Sequence, residues 1–250
     1  MKLRYRIADA LGYSLVKKAK DHGSIESHVP KVLESLEINC VVDVGANRGQ
    51  YASMLRRLGY SGRIVSFEPV PTVYEKLVRS AREDPDWFTH PFALGSVDEV
   101  RLIYVYDRSE VSSLLPTTEY GRAAFKRNAG ALEQQKVSVR RLEGLWNQVI
   151  GDLDDPRVYL KMDTQGYDLE VFAGARSCLE VVRGLQSELS VVALYDGMPD
   201  YMTSLSEYRS CGFEASGFFK VFRDKATHLL GEFDCVMIRP PASSTSATRR

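Results

Sequence analysis

Three carboxylates stand at the ends of three apolar runs, and their neighbours suggest a bound nucleotide. Asp43 closes Cys40-Val-Val-Asp43 and leads into Val44-Gly-Ala-Asn-Arg-Gly-Gln50. Strand, glycine turn and helix is how a parallel α/β domain opens a nucleotide site. Glycine lets the backbone take left-handed dihedrals and approach a ligand closely, and the next helix aims free N–H groups at it. Glu68 follows a second run, Arg63–Phe67, and precedes Pro69. A carboxylate there can accept hydrogen bonds from both hydroxyls of a ribose; the plainer role is a surface acid capping the next helix. Asp163 ends a third run, Arg157–Asp163, just before Thr164-Gln165-Gly166. The opening turn holds Gly45 and Gly49 but lacks the middle glycine of G-x-G-x-x-G, so a dinucleotide's pyrophosphate is disfavoured.

The elements that must position these acids follow from periodicity. After the turn, Tyr51, Met54, Leu55 and Leu58 mark the inner stripe of a helix ended by Gly59. A second helix starts at Thr72 and closes at Asp84-Pro85, and Trp87–Leu94 reads as a third strand. This β-α-β-α-β order is half of an open parallel sheet. Residues 95–141 break the rhythm: Val100–Tyr106 and Lys136–Arg141 read as strands around a polar segment, an inserted hairpin or flap. Leu142–Val149 reads as a short helix, Tyr167–Leu179 as a longer one, Gly184–Leu194 as a strand and Tyr201–Ser210 as a helix. Phe213–Gly217 and Phe233–Arg239 are expected to be an antiparallel edge pair. Residues 1–37 read as a basic, amphipathic helical extension whose second helix runs from about His28 to Leu36. It either packs on the domain, covers the site or rests on an anionic membrane. The domain proper is residues 38–239, and the Pro-, Ser- and Arg-containing tail 240–250 is expected to be disordered.

Bulk properties exclude several classes. The 33 basic and 33 acidic residues cancel, so no global field favours nucleic acid. No apolar run is long enough for a transmembrane helix, and the N-terminus lacks a signal peptide's apolar core. Cys40, Cys178, Cys211 and Cys235 form no C-x-x-C pair and read as reduced, mostly buried thiols of a cytoplasmic protein.

Taken together, Asp43-Val-Gly-Ala-Asn-Arg-Gly-Gln50, Phe67-Glu-Pro69, Ala93-Leu-Gly95, Leu160-Lys-Met-Asp-Thr-Gln-Gly-Tyr-Asp-Leu-Glu170 and Asp234-Cys-Val-Met-Ile238 resemble the FkbM family of S-adenosylmethionine-dependent methyltransferases. The resemblance spans about residues 38–239. It implies a class I methyltransferase fold, Rossmann-like: a seven-stranded, mostly parallel sheet with an antiparallel last strand and helices on both faces. It also implies S-adenosyl-L-methionine as cofactor and O-methylation of a sugar, glycolipid or natural-product hydroxyl. By that resemblance Asp43, Gly45, Asn47 and Gly49 line the methionine moiety, with Ala46 and Gln50 on the same turn, and Glu68 holds the ribose. Pro69 and Val70 flank the adenine, Ala93 and Leu94 close its other side, and Asp163 and Gln165 lie where cofactor and acceptor meet. The family usually has Ile or Val at Met162 and Glu at Asp168, changes expected to touch only packing or a helix surface.

Methyl transfer to an aliphatic hydroxyl is an in-line displacement that needs alignment and a base for the hydroxyl proton. The base candidates are Asp163, Glu188, Asp196 and His90. Asp163 ranks first by position; Glu188 is a carboxylate among strand residues, where a buried partner is the plainer explanation. No local spacing demands a metal. The expected partner is a small-molecule or glycolipid hydroxyl acceptor, with peripheral membrane contact through the N-terminus as a further expectation. The competing readings are a nicotinamide-dependent oxidoreductase and a catalytically silent nucleotide-binding module. Tyr104, Tyr106, Tyr195, Tyr201, Phe218 and Phe219 either stack on a sugar or belong to the core.

Overall fold

The computed structural model describes residues 10–12, 22–125, 133–224 and 227–240. Its centre is β1 (Cys40–Val44), whose five residues are all buried, as both faces of a parallel strand must be when helices cover them. Beside it lie β2 (Arg63–Phe67) and β7 (Val158–Met162), both parallel to it. The remaining members are β3 (Trp87–His90), β8 (Val182–Ser190), β9 (Glu214–Arg223) and β10 (Leu230–Ile238). The sheet order is β3-β2-β1-β7-β8-β10-β9. β10 runs antiparallel to both β8 and β9. This is the expected class I arrangement, seven strands, mostly parallel, with the chain's last strand reversed.

Strand alternation sends two sets of side chains to two cores. Val42, Val44, Val65, Phe67, Leu160 and Met162 pack on one face, against α5 (Leu142–Val149), α6 (Asp168–Ala173) and α7 (Tyr201–Ser210). Val41, Ile64 and Tyr159 pack on the other, under α1 (Ile25–Ser35), α2 (Gln50–Arg57) and α3 (Pro71–Ala81). Asp200 caps α7 by accepting from the N–H groups of Met202 and Thr203.

The expected third strand, Trp87–Leu94, is two strands in two sheets. β3 pairs with β2 and stops at His90; after Pro91, β4 (Ala93–Leu94) pairs instead with β6 (Glu133–Arg140). Proline brings no N–H to a ladder, so pairing ends there and the chain changes sheets. β6 also pairs antiparallel with β5 (Glu99–Val105), from Glu99 opposite Val139 to Val105 opposite Glu133. The predicted flap is therefore a three-stranded sheet, with a 3₁₀ turn at Ser109–Val111 and α4 (Glu119–Phe125) between β5 and β6.

Other boundaries differ locally. The helix expected over Tyr167–Leu179 breaks into α6 and a 3₁₀ turn at Arg176–Cys178; at the break Gly174 lies so near Gly95 that a Cβ there would meet its carbonyl oxygen at 1.9 Å. β8 ends at Ser190 rather than Leu194, and β9 continues through Phe218 and Phe219 to Arg223. In the N-terminal extension α1 starts at Ile25, earlier than expected, on a capping box between Ser24 and Ser27. The first part of that extension, residues 1–9 and 13–21, and nearly all of the tail, 241–250, lie outside the described residues. No helix among the described residues is long and apolar enough to cross a membrane.

Candidate active site

A row of polar side chains crosses the sheet near the carboxyl ends of its strands. In register, Thr89 neighbours Ser66, Ser66 neighbours Asp43, Asp43 neighbours Lys161, and Lys161 neighbours Gln186. All share the face of Val41, Ile64 and Tyr159, and they end that apolar face just below a cleft of about 460 Å³. This volume lies within the ordinary range for small-ligand sites.

The opening turn forms the near wall. Gly45 and Ala46 each donate a backbone N–H to the carbonyl of Phe67, at 3.1 and 3.0 Å, while Asp163 donates to the carbonyl of Val44 at 3.1 Å. Three strand tips are thereby tied together. Gly45 has φ +73°, and a Cβ on it would stand 2.0 Å from the carbonyl oxygen of Asp163. Glu68 sits over β2, 7% exposed. Its two carboxylate oxygens accept from the backbone N–H groups of Asn47 (3.0 Å) and Val70 (2.9 Å). Burial pushes its carboxyl up to about 7 against the pull of those N–H groups. Each oxygen keeps a second lone pair for a ligand hydroxyl.

The far wall is acidic. The Gln165 side-chain NH₂ donates to Asp163 Oδ1 at 2.9 Å and to Glu188 Oε1 at 2.8 Å. Burial first, then the negative charges of Asp163, Glu232 and Asp234, holds Glu188 well above the usual carboxylate range. Asp234 is opposite Glu188 on β10; burial raises it to about 6, although the Gln186 amide donates to it at 2.9 Å. Tyr51 on α2 donates to the other end of that amide at 2.8 Å. Lys161 lies beneath, 3.1 Å from Asp43 Oδ1 and 3.5 Å from Asp163 Oδ2. Burial opposes its charge, but the two carboxylates outweigh that and keep it protonated.

The flap covers the cleft. Ser109 donates to Asn47 Oδ1 at 3.0 Å, and Arg48 pairs with Glu110 at 3.8 Å across the mouth. Ile103 and Leu114 supply apolar lining.

Of the residues expected to hold a cofactor, Gly45, Ala46, Asn47, Gln50, Glu68 and Pro69 line the cleft. So do Ala93, Leu94, Asp163 and Gln165. Three others do not. Asp43 is fully buried under the floor, held by Ser66 and Lys161. Gly49 caps α2 at φ +85°, where a Cβ would strike the Trp87 ring at 2.7 Å, so its glycine serves packing. Val70 is buried and reaches the site through its N–H on Glu68. Among the base candidates, Asp163 and Glu188 are joined through Gln165. His90 is instead stacked on Phe67 at 5.1 Å, with burial lowering its pKa, and Asp196 is exposed in the loop after β8. Neither lines the cleft. Among the described residues no group of three or more His, Cys, Asp or Glu is placed to hold a metal ion. Asp168, expected on a helix surface, is buried and accepts from Thr164 and Ser187.

Sequence reasoning gave no part in the site to Lys161, Gln186, Asp234 or Tyr51, although Tyr51 was read on a helix stripe and Lys161 and Asp234 within motifs. The available signal was a polar residue at matching depth in successive apolar strands, as in Val-Asp43-Val and Leu-Lys161-Met.

The donor set suits a ligand with hydroxyls and positive charge. Arg57 and Lys161 are the cleft-lining cations, and Lys161 is held by Asp43, so a pyrophosphate finds little here to neutralise it.

The Methyltransferase FkbM domain family matches residues 43–215. No curated protein matches the chain. Solved structures similar to it include fibrillarin of Aeropyrum pernix with natively bound S-adenosyl-L-methionine. That pair shares 11% identity with a TM-score of 0.45 over 80% of this chain and 66% of that one. Magnesium protoporphyrin IX methyltransferase of Synechocystis PCC 6803, with bound S-adenosylmethionine, is 10% identical (TM-score 0.44, 86% and 79%). An rRNA methylase from Streptococcus thermophilus is also 10% identical (TM-score 0.44, 85% and 96%). The family match carries the expected cofactor, S-adenosylmethionine, with it and removes the nicotinamide reading. Motifs, sheet order and family match agree that the chain belongs to the FkbM methyltransferase family.

Proposed function

We propose that this methyltransferase methylates a hydroxyl group of a sugar, glycolipid or natural product, with the Asp163–Glu188 pair accepting the hydroxyl proton. The observation that carries this is the shared Gln165 amide. Two carboxylates joined at one end of a covered cleft, beside the glycine turn, make a base site next to a nucleotide site.

The residues that fit S-adenosylmethionine are the Gly45–Asn47 turn, Glu68 for the ribose hydroxyls, and Pro69, Ala93 and Leu94 for the adenine. Bound there, it supplies an electrophilic methyl group on a sulfonium. The flap residues Ser109 and Glu110 exclude water, and the strand tips fix the turn against Asp163. Holding reactants in line is worth roughly 7–11 kcal/mol of barrier. Asp163, partly exposed to the cleft, meets the acceptor hydroxyl, and Glu188 stands beside it on the same Gln165 amide. A carboxylate held above its usual range is a stronger base once ionised, which favours proton uptake from a weakly acidic alcohol.

The test is labelled-methyl transfer screened over sugars, glycolipids in vesicles and small alcohols, with D163N and E188Q as controls. A methylated hydroxyl is expected, with activity lowered about 10²–10⁴-fold by D163N and the calorimetric affinity for S-adenosylhomocysteine retained. Methylation confined to nitrogen or carbon, or full activity in both variants, overturns the reading. Removal of residues 1–20 in the vesicle arm reads the N-terminal contribution: unchanged membrane association and activity count against a membrane role.

A further inference from the structure

Tyr195 stood out in the sequence as an aromatic ring suited either to stacking on a sugar or to the core. It does neither simply. Its ring is 1% exposed and lies outside the cleft lining. Its hydroxyl is aimed at two oxygens, the Gln165 side-chain oxygen at 2.7 Å and the Val111 carbonyl at 3.0 Å. A phenol has one proton to donate and stays protonated here, because burial and then the charges of Glu232, Glu188 and Asp163 raise it further.

That hydroxyl faces the oxygen end of an amide whose nitrogen end holds both candidate bases. A primary amide can turn over, exchanging its oxygen and nitrogen. Reversed, Gln165 would present an acceptor to two carboxylates, and one of them would have to carry a proton. With its one proton on the nearer acceptor, the Gln165 oxygen at 2.7 Å, the Tyr195 hydroxyl opposes that reversal. Tyr195 is itself well held: it pairs with Thr117 of the flap across an isolated bridge, Asp196 N–H bonds the Pro116 carbonyl at 2.7 Å, and the Phe125 ring lies tilted against it at 5.7 Å.

We propose that Tyr195 is a positioning residue of this site: it locks the Gln165 amide so that its NH₂ stays turned to both Asp163 and Glu188 and holds the pair aligned. The consequence is a physical link from the flap to the bases through Tyr195, whose backbone is bridged to Thr117 of the flap. The inference rests on the methyl-transfer reading for its catalytic meaning, but the lock itself is testable without turnover.

The groups facing Glu188 are Asp163 from the end of β7, Glu232 and Asp234 from β10, and Gln165; Lys161 reaches Asp163 but pairs with Asp43. Every charged group facing Glu188 is negative, so loss of one oriented amide donor moves its titration upward. The experiment is carboxyl-carbon NMR titration of protein labelled with ¹³C-glutamate, Glu188 being assigned by its loss in E188Q. In Y195F, which keeps the ring, the Glu188 midpoint is expected to rise by about half a pH unit or more, roughly a threefold change in proton affinity. Q165L, which removes the amide, is expected to raise it further. Retained S-adenosylhomocysteine binding reports that each variant is folded. Once an acceptor is known, the acid limb of the kcat profile in Y195F should move to higher pH by the same amount, with kcat lowered about threefold on that limb and KM for the cofactor unchanged. A Glu188 midpoint that does not move in Y195F overturns the lock, as does a uniform loss of kcat at every pH. If no acceptor is methylated, the functional reading fails while the NMR arm still decides the lock.

Discussion

At the scale of single residues, the Lys161–Asp43 pair sets the floor of the site. Asp43 is fully buried, and the partner of its Oδ1 is Lys161 at 3.1 Å. Breaking such a pair from one side leaves an uncompensated buried charge, which costs about 3–5 kcal/mol. K161M should therefore lose about that much stability in urea denaturation, and D43N/K161M should recover most of it, since no charge is then stranded. Equal loss in both variants would show that packing, not charge, decides. The acids at the strand tips were legible in the sequence because each ends an apolar run beside a turn. Lys161 was not, although it stands in the Leu160-Lys-Met-Asp163 motif: a lysine beside a motif acid reads as solvated until the register places it against Asp43. Asp234 and Gln186 were hidden for the same reason, since only the antiparallel pairing of β10 with β8 brings Asp234 to Glu188.

At the scale of elements, what the sequence made plain was the strand–turn–helix rhythm, and what it hid was where strands change partners. Trp87–Leu94 has the composition of one strand. Only the missing N–H of Pro91 divides it, and no local pattern says that Ala93–Leu94 will find Val139 and Arg140 across the flap. The split matters for function, because it brings Ala93 and Leu94 to the cleft under the flap while leaving His90 stacked on Phe67. The close approach of Gly174 to Gly95 at the break after α6 was likewise invisible, being a contact between distant segments. Gly45 governs how β1 and β7 meet. G45A would drive a methyl group into the Asp163 carbonyl, at a spacing of 2.0 Å to rigid backbone. The tips of β1 and β7 must then separate, so S-adenosylhomocysteine affinity should fall at least about tenfold in calorimetry, with stability lower by several kcal/mol. Gly59 has φ +95°, and nothing lies within 4 Å of the place an added methyl group would take. G59A should accordingly cost only the backbone strain, about 1–2 kcal/mol, and leave binding intact. Similar binding losses in both would remove the special role of Gly45.

At the scale of the whole molecule, the chain has zero formal net charge, yet carboxylates shielded from solvent are gathered along the carboxyl-end rim of the parallel strands. Burial raises Glu68 and Glu232 to about 7 and Asp234 to about 6, and it holds Glu188 well above the usual range. Each of these groups binds its proton more tightly folded than unfolded. Through linkage, stability must then rise as pH falls from above the folded values toward the unfolded ones near 4.5 and 3.8. His28 and His90 act oppositely: burial lowers both, so charging them costs stability as pH falls below their ordinary value of 6.5. Between about pH 8 and 6.5 the carboxylates dominate, and the urea midpoint should increase on acidification instead of showing the usual flat region. E68Q removes one contributor and should flatten that rise. A site built from buried acids is therefore stabilised by anything that compensates their charge, a proton or a positively charged ligand, and this is the pattern expected where function is held at the expense of stability. A midpoint that falls steadily from pH 8 to 6.5 would mean that these carboxylates are ionised at no cost, and the acidic wall would then be solvated surface.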